Sequence, residues 1–272
     1  MESTLDGAAF FDSARLHVHL YDTLYSHAPN LKGDCAYYQS LAEGHTRVLD
    51  AACGSGRLFP TLAKPNGHLS AFDVSANLLQ AAEKRARALA DTGRSISITR
   101  QRLESFTLPH SFGFILIAYY GFSYLLTPEA RLACLARVAS HLVPDGTAVL
   151  HLPAPDLLSR QVPRHEIDAL KSSFSTTQGE TEMPITIEHT VKDIRYNLIN
   201  RIRSVVSLVE ILDDTGKILQ ADTSTMHYAH VDSPDIEAAA KETGLYILDV
   251  KTGFVDEVNS ELIVVLTRSR AA

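Results

Sequence analysis

The stretch that most constrains this chain is Val48-Leu49-Asp50-Ala51-Ala52-Cys53-Gly54-Ser55-Gly56-Arg57-Leu58-Phe59. It reads as a short apolar strand, a tight turn bearing two glycines, and the start of a helix. Such a turn lets backbone N–H groups approach a ligand with no side chain in the way. The helix N-terminus behind it favours a negative group. A loop of this kind suits a nucleotide-like ligand.

Context narrows the ligand, because glycine spacing alone is unspecific. A dinucleotide-binding turn needs a third small residue where the helix packs on the strand. Phe59 stands there, followed by Pro60, which argues against NAD or FAD. A phosphate-cradling loop needs Gly-Lys-Ser/Thr, which is absent. What remains is a ligand with a compact anionic end, such as a carboxylate, and an adenosine body. A second strand, Gly67-His68-Leu69-Ser70-Ala71-Phe72-Asp73, ends in an acid. A carboxylate at a strand's C-terminal edge can accept both hydroxyls of a ribose. Asp73 could also cap the following helix, but Ser75 is the better cap and frees it.

Leu49 to Arg57, taken with Phe72-Asp73-Val74-Ser75, resembles motif I and the strand-two acid of class I S-adenosylmethionine-dependent methyltransferases. The chain is most similar to the bacterial small-molecule branch that contains amino-sugar N-methyltransferases. The resemblance spans residues 8–152 and 233–268, while 153–232 match only in general layout. Ala52 replaces the family's frequent first glycine. In Gln101-Arg102-Leu103-Glu104, Arg102 stands where the family usually has an acid or Asn near the adenine amine, so adenine contact would rest on backbone groups and Leu103. The resemblance implies S-adenosylmethionine as cofactor. Its implied contacts are Tyr21, Tyr25, Asp50, Ala51, Ala52, Gly54, Arg57, Asp73, Val74, Leu78, Arg102, Leu103, Glu104, Ala118 and Tyr119.

Composition removes several other classes. With 272 residues, 45% of them hydrophobic, the chain suits one large α/β domain with an insertion. A net charge of −7 argues against nucleic acid as the main partner. Cys35, Cys53 and Cys134 lack CxxC spacing, so reduced thiols in a cytosol are expected, with no zinc site and no other metal. Neither a charged-then-apolar leader nor an apolar run of about 18 residues occurs, so no membrane partner is expected and a cytoplasmic location is.

Residues 8–26 suit an amphipathic helix whose stripe is Phe11, Ala14, Val18, Tyr21 and Tyr25. That stripe is either core or, as the resemblance implies, a segment lying over the cofactor. His17 and His19 do not share a helical face, which disfavours a metal pair. A second helix is expected over 33–43, then one from Ser75 to Ala90 with Leu78, Leu79, Ala82, Ala86 and Leu89 inward and Gly93 as its cap. Strands follow at Ile96–Thr99, Phe112–Tyr119 and Thr147–Leu152, with a helix opened by Thr127 and Pro128. This alternation predicts a doubly wound, mostly parallel sheet. Ligands in such sheets sit beyond the strands' carboxyl ends, here Asp50, Asp73, Leu103, Ala118 to Tyr120 and His151. No Asn/Asp-Pro-Pro-aromatic sequence follows strand four, which argues against DNA amino-methyltransferases. Tyr119 and Tyr120 offer π-faces to a sulfonium or a substrate cation, or simply pack.

From Pro153 to Pro184 the pattern reads as a connection with one short helix, 165–174, and a loop at Gly179-Glu180-Thr181-Glu182. Strands Ile185–Val191, Arg195–Ile211 and Lys217–His230 predict an antiparallel three-strand meander turning at Lys192-Asp193 and Asp213-Asp214-Thr215-Gly216. In the resembling branch such a sheet caps the acceptor site and forms a dimer interface, so a homodimer is expected. Arg195, Asn197, Arg201 and Arg203 would share one strand face, either gripping an anionic acceptor or facing water. A helix over 233–243, capped by Ser233-Pro234 and ended by Gly244, precedes strands Leu245–Thr252 and Glu261–Arg268. They would complete a seven-stranded sheet with its last strand antiparallel.

The expected organisation is a Rossmann-like cofactor unit, residues 1–152 and 232–272, around an antiparallel β insertion, 153–231. The expected reaction is methyl transfer to a small-molecule acceptor in secondary metabolism, with nitrogen favoured over oxygen or sulfur because no unmistakable base stands out. Tyr120 and His227 are the catalytic candidates, and Tyr119, Tyr124, His151, Arg201 and Arg203 the acceptor-binding ones. The alternatives are a nucleotide-dependent oxidoreductase and a non-catalytic S-adenosylmethionine-binding module.

Overall fold

The computed structural model of the chain describes residues 7–13, 15–25, 28, 31–178, 183–254 and 261–268. Four short helices come first: α1 (Gly7–Phe11), α2 (Leu16–His19), α3 (Tyr21–Tyr25) and α4 (Asp34–Leu41). Strands and helices then alternate through β1 (Arg47–Ala51), α5 (Phe59–Leu62), β2 (His68–Asp73), α6 (Ala76–Ala90), β3 (Ser95–Arg100), β4 (Phe112–Ile117), α7 (Pro128–His141) and β5 (Leu142–Pro153). Helices α8 (Pro155–Ser159) and α9 (Arg164–Asp168) lead into β6 (Lys171–Gln178), β7 (Met183–Asn197), β8 (Ile202–Leu212) and β9 (Ile218–Ala229). The chain returns through α10 (Ser233–Thr243) to β10 (Tyr246–Thr252) and β11 (Glu261–Thr267).

Seven strands form one sheet in the order β10-β11-β5-β4-β1-β2-β3. Only β11 runs against its neighbours β10 and β5. The period-two alternation of the central strands feeds two cores. Leu49, Ile115, Ile117 and Leu150 face α7 and α10 on one side, while Val48, Phe114 and Leu116 face α4, α5 and α6 on the other. Phe114, Ile115, Leu116 and Ile117 are all fully buried, as an apolar parallel strand covered on both faces should be. Burying each such side chain stabilises the fold by ~1.5–3 kcal/mol.

Local signals set the helix ends. Ser75 Oγ accepts the Leu78 N–H and Thr127 Oγ1 accepts the Ala130 N–H, so both helices start where expected. The cap of α10 is Asp232 rather than Ser233. Its carboxylate accepts the Asp235 N–H, and the Asp235 carboxylate accepts the Asp232 N–H in return.

Elsewhere tertiary contacts override local pattern. The helix expected over 8–26 is three pieces, and extended Arg15 (φ −70°, ψ 148°) marks the first break. Arg15 donates to the Thr223 carbonyl and the Leu16 N–H donates to Asp222, which ties this point to β9. Ala14 of the expected stripe lies outside the described residues, as do residues 179–182. The helix expected over 165–174 stops at Asp168, and Lys171 onward pairs with β7 as a fourth strand. Lys192-Asp193 is not a turn but a bulge within β7. The chain reverses instead at 198–201, where the Asn197 side chain accepts the Ile199 and Asn200 N–H groups. The four-stranded sheet has the order β6-β7-β8-β9. Its strand β9 packs on α1, α2 and the turn at 121–124. No helix among the described residues is long and apolar enough to cross a membrane.

Candidate active site

The carboxyl ends of β1, β2 and β4 open onto a cleft. Its floor is the glycine loop. Ala52, Gly54 and Gly56 all have positive φ, at 61°, 55° and 78°. A Cβ on Gly56 would lie 2.6 Å from the Phe59 ring. Phe59 is itself fully buried, so the large side chain that argued against a dinucleotide turn fills the space under the loop.

Asp73 serves the loop directly. Its carboxylate accepts the Gly54 N–H at 2.8 Å and the Ser75 N–H at 2.9 Å. Burial raises its pKa, and the N–H groups of Ser75, Gly54 and Val74 oppose that rise. Asp73 also lines the cleft, and its carboxylate retains acceptor capacity there.

Asp50 is different. It is 1% exposed, and neither carboxylate oxygen has a hydrogen-bond partner. Burial pushes its pKa up to about 7, opposed by Arg57 and reinforced by Asp73. An unpaired buried carboxylate is costly, and a cation beside it removes that cost. Arg57 also lines the cleft and is fixed by Asp34, with contacts of 3.3 and 2.5 Å.

Helix α3 covers the loop. The Asp22 carboxylate accepts the Ser55 hydroxyl at 2.5 Å and Arg85 at 2.8 Å, and Arg85 also donates to the Ser55 carbonyl. This clamp holds Tyr21 over the cleft. On the far wall Arg102 pairs with Glu104 at 2.5 Å, beside buried Leu103. Val74, Leu78 and Ala118 complete the lining.

Beyond Ala118 the chain turns through Tyr119 and Tyr120, both left-handed at φ 42° and 69°. Their rings stack with centroids 4.8 Å apart. Tyr119 lines the cleft, as does Tyr124. Tyr25 sits 4.9 Å from Tyr21 and 5.7 Å from Tyr119, and Tyr228 of β9 sits 5.1 Å from Tyr124. Tyrosines from three separate parts of the chain thus gather at one side of the cleft.

Several expected site residues lie elsewhere. Ala51 is core beneath the loop. Tyr25 stands behind the cleft wall, with its hydroxyl 2.5 Å from His17 Nε2. The Tyr120 hydroxyl is given to Glu261 at 2.9 Å. His151 is fully buried and bonded to Tyr38 and Glu261. His227 bonds Ser204, and strand alternation turns it away from Met226 and Tyr228, which pack with Leu78, Tyr21 and Tyr124. Arg201 is in the turn before β8, paired with Asp232 and Asp235 at 3.0 and 2.9 Å. Arg203 is 6% exposed and donates to the carbonyls of Leu157, Leu158 and Arg160. The two arginines therefore do not share a strand face. Arg203 anchors α8, whose last carbonyls need a donor.

Three residues near the site carry no functional flag in the sequence reading. Tyr228 was legible through the alternation of β9. His17, 1% exposed and held neutral by a pKa lowered to about 3 through burial and His189, stands two residues from His19, a spacing that disfavours a metal pair and signals nothing else. Glu261 carried no local signal. Among the described residues no group of three His, Cys, Asp or Glu side chains could hold a metal ion.

A doubly wound sheet, a glycine loop at its switch point and an acid closing the second strand define the class. Residues 48–146 match the family described as a methyltransferase domain. The chain therefore carries a methyltransferase domain of the kind that uses S-adenosylmethionine. It is 23% identical over 252 residues to a Geobacillus protein named as a methyltransferase, covering 89% of this chain and 92% of that one. The CcbJ methyltransferase of Streptomyces caelestis shares its fold at TM-score 0.73 and 15% identity, over 98% of this chain and all of the other. CalS10 of Micromonospora echinaspora, an amino pentose methyltransferase solved with S-adenosylmethionine bound, gives TM-score 0.63 and 18% identity over 90% and 97%.

Proposed function

We propose that this enzyme methylates a nitrogen of a small amine-bearing acceptor in secondary metabolism. The observation that carries the reading is the tyrosine wall beside a cleft that, among the described residues, no histidine lines. A hydroxyl acceptor must lose its proton and wants a base in reach, whereas an amine that arrives neutral does not. Tyrosine π-faces also attract cations. The fold shared with an amino pentose methyltransferase supports the same choice.

The residues present fit the cofactor. Asp50, buried and unpaired, would take its ammonium, Arg57 its carboxylate, and Asp73 its ribose hydroxyls. Leu103, with the Arg102–Glu104 pair, would flank the adenine, with Ala52, Gly54, Val74, Leu78 and Ala118 shaping the rest. When bound, S-adenosylmethionine supplies a methyl group already activated on a positively charged sulfur. The protein's own task is then orientation and exclusion of water. Tyr21, Tyr119 and Tyr124 line that space, and Tyr25 and Tyr228 back them.

Residues 1–152 and 232–272 would form the cofactor unit, and 153–231 the acceptor cap. Arg201 and Arg203 are both engaged within the chain, which supports an acceptor not held through a phosphate or carboxylate at these positions. Leu198 and Ile199, 78% and 95% exposed in the turn between β7 and β8, support a homodimer through the cap. The free cysteines support a reducing, cytoplasmic setting.

The test is turnover with isotope-labelled S-adenosylmethionine against paired acceptors, amino sugars and the matching hydroxyl sugars. Label should pass to the amines. Transfer to the hydroxyl partners alone would refute nitrogen as the target.

A further inference from the structure

Behind the tyrosine wall lies a buried polar cluster drawn from four elements. Tyr38 comes from α4, His151 from β5, Glu261 from β11, and Tyr120 from the turn after β4. His151 and Glu261 are both 0% exposed, and neither lines the cleft. The antiparallel course of β11 explains how Glu261 gets there. Parallel strands bring their last residues to the ligand edge of the sheet. A strand running the other way brings its first residue, and Glu261 indeed stands opposite Pro153 at the end of β5.

Hydrogen bonding sets the histidine's tautomer. The Tyr119 N–H lies 3.1 Å from His151 Nδ1. An amide N–H only donates, so Nδ1 carries the lone pair and the proton sits on Nε2. Nε2–H then donates to Glu261 Oε2 at 2.6 Å. The Tyr120 hydroxyl donates to Oε1 of the same carboxylate at 2.9 Å. The His151 carbonyl accepts the Tyr120 N–H at 2.9 Å. Two adjacent tyrosines are thereby held by one His–Glu pair, through two amides and one hydroxyl.

Both tyrosines need holding. Left-handed backbone is unfavourable for a residue with a Cβ, and two in succession persist only where the surroundings over-determine them. What this conformation achieves is to lay the Tyr119 ring on the cleft while Tyr120 stacks behind it.

We propose that Glu261 and His151 are positioning residues that hold the Tyr119 ring against the cleft, where it favours the charged sulfonium of the donor over the neutral thioether product. This rests on the cleft being the cofactor site. A ring face gains attraction only toward the cation, so the pair would tune how the enzyme discriminates donor from spent product without touching either.

Calorimetry with S-adenosylmethionine and S-adenosylhomocysteine tests this in Tyr120→Phe, Glu261→Gln and, as the reference, Tyr119→Leu. Tyr120→Phe removes only the hydroxyl, so it remains informative if Glu261→Gln fails to fold. In each variant the affinity ratio of donor to product should fall at least threefold, with product Kd within twofold of the parent. The Tyr119→Leu/Tyr120→Phe double variant should fall no further than Tyr119→Leu alone, because both act through one ring. A general structural weakening would raise both Kd values together. An unchanged ratio, or parallel loss of both affinities, overturns the positioning role. Failure of the parent protein to bind either ligand overturns the cofactor site itself.

Discussion

Replacing Asp50 with asparagine should move stability and binding in opposite directions. The Asp50 carboxyl has a folded-state pKa of about 7 against an ordinary 3.8, because burial disfavours its charge. One pKa unit corresponds to about 1.36 kcal/mol, so ionising Asp50 in the ligand-free fold costs at most ~4 kcal/mol relative to the unfolded chain. Below the unfolded value both states hold the proton and there is no cost. Between about pH 4 and pH 7 the native state binds a proton that the unfolded state has lost, so stability falls as pH rises. Above pH 7 the full cost is present. Asp50→Asn never ionises, and its buried amide lacks partners just as the protonated carboxyl does, so those two costs cancel to first order. The net expectation at pH 8 is a ligand-free protein up to ~4 kcal/mol more stable than the parent, with the gain gone near pH 4.

Binding should run the other way. A hydrogen bond to a charged group is worth about 1.5–3 kcal/mol, so Asp50→Asn should weaken S-adenosylhomocysteine at least tenfold. The proton supplies a sharper test. At pH 6 Asp50 is about nine-tenths protonated, and an ammonium seated against it expels that proton. Calorimetry in two buffers of different ionisation enthalpy should count roughly 0.9 proton released at pH 6 and about 0.1 at pH 8. Asp50→Asn should release none at either pH. A parent protein that releases no proton at pH 6, or an asparagine variant no more stable at pH 8, would refute the reasoning.

Two further substitutions separate binding from scaffold. Asp73→Ala should weaken S-adenosylhomocysteine by on the order of 1–3 kcal/mol, and it should also lower the unfolding midpoint, because the Gly54 and Ser75 N–H groups lose their acceptor; unchanged affinity would remove Asp73 from the ribose site. Arg203→Ala strands three carbonyls at the end of α8, so denaturant titration should show a loss of about 3 kcal/mol while cofactor affinity holds; a stable variant with weakened acceptor binding would restore Arg203 to the acceptor site.

The glycine turn, the acid at the end of β2, the Ser75 and Thr127 caps and the apolar run of β4 were legible because each is a short-range signal. Their backbone needs are met by residues a few positions away. The first break in the helix expected over 8–26 was not legible, since Arg15 and Leu16 find their partners on β9, more than two hundred residues along. Strand alternation misassigned Arg201 and Arg203 because it assumed one uninterrupted strand. A reversal at 198–201, held by the Asn197 side chain, lies between Arg195 and Arg203.

Sequence by itself determined the class of fold and the form of the glycine loop, because those depend on backbone conformation and on residue size at one turn. Tertiary structure alone decided which charged groups are spent and which are left over. Arg203 and Glu261 are consumed by partners that pairing across two sheets brings to them, while Asp50, one more acid in the linear chain, is left buried with no partner of its own. Burial multiplies the cost of an unmet charge, and burial exists only once distant segments have packed together.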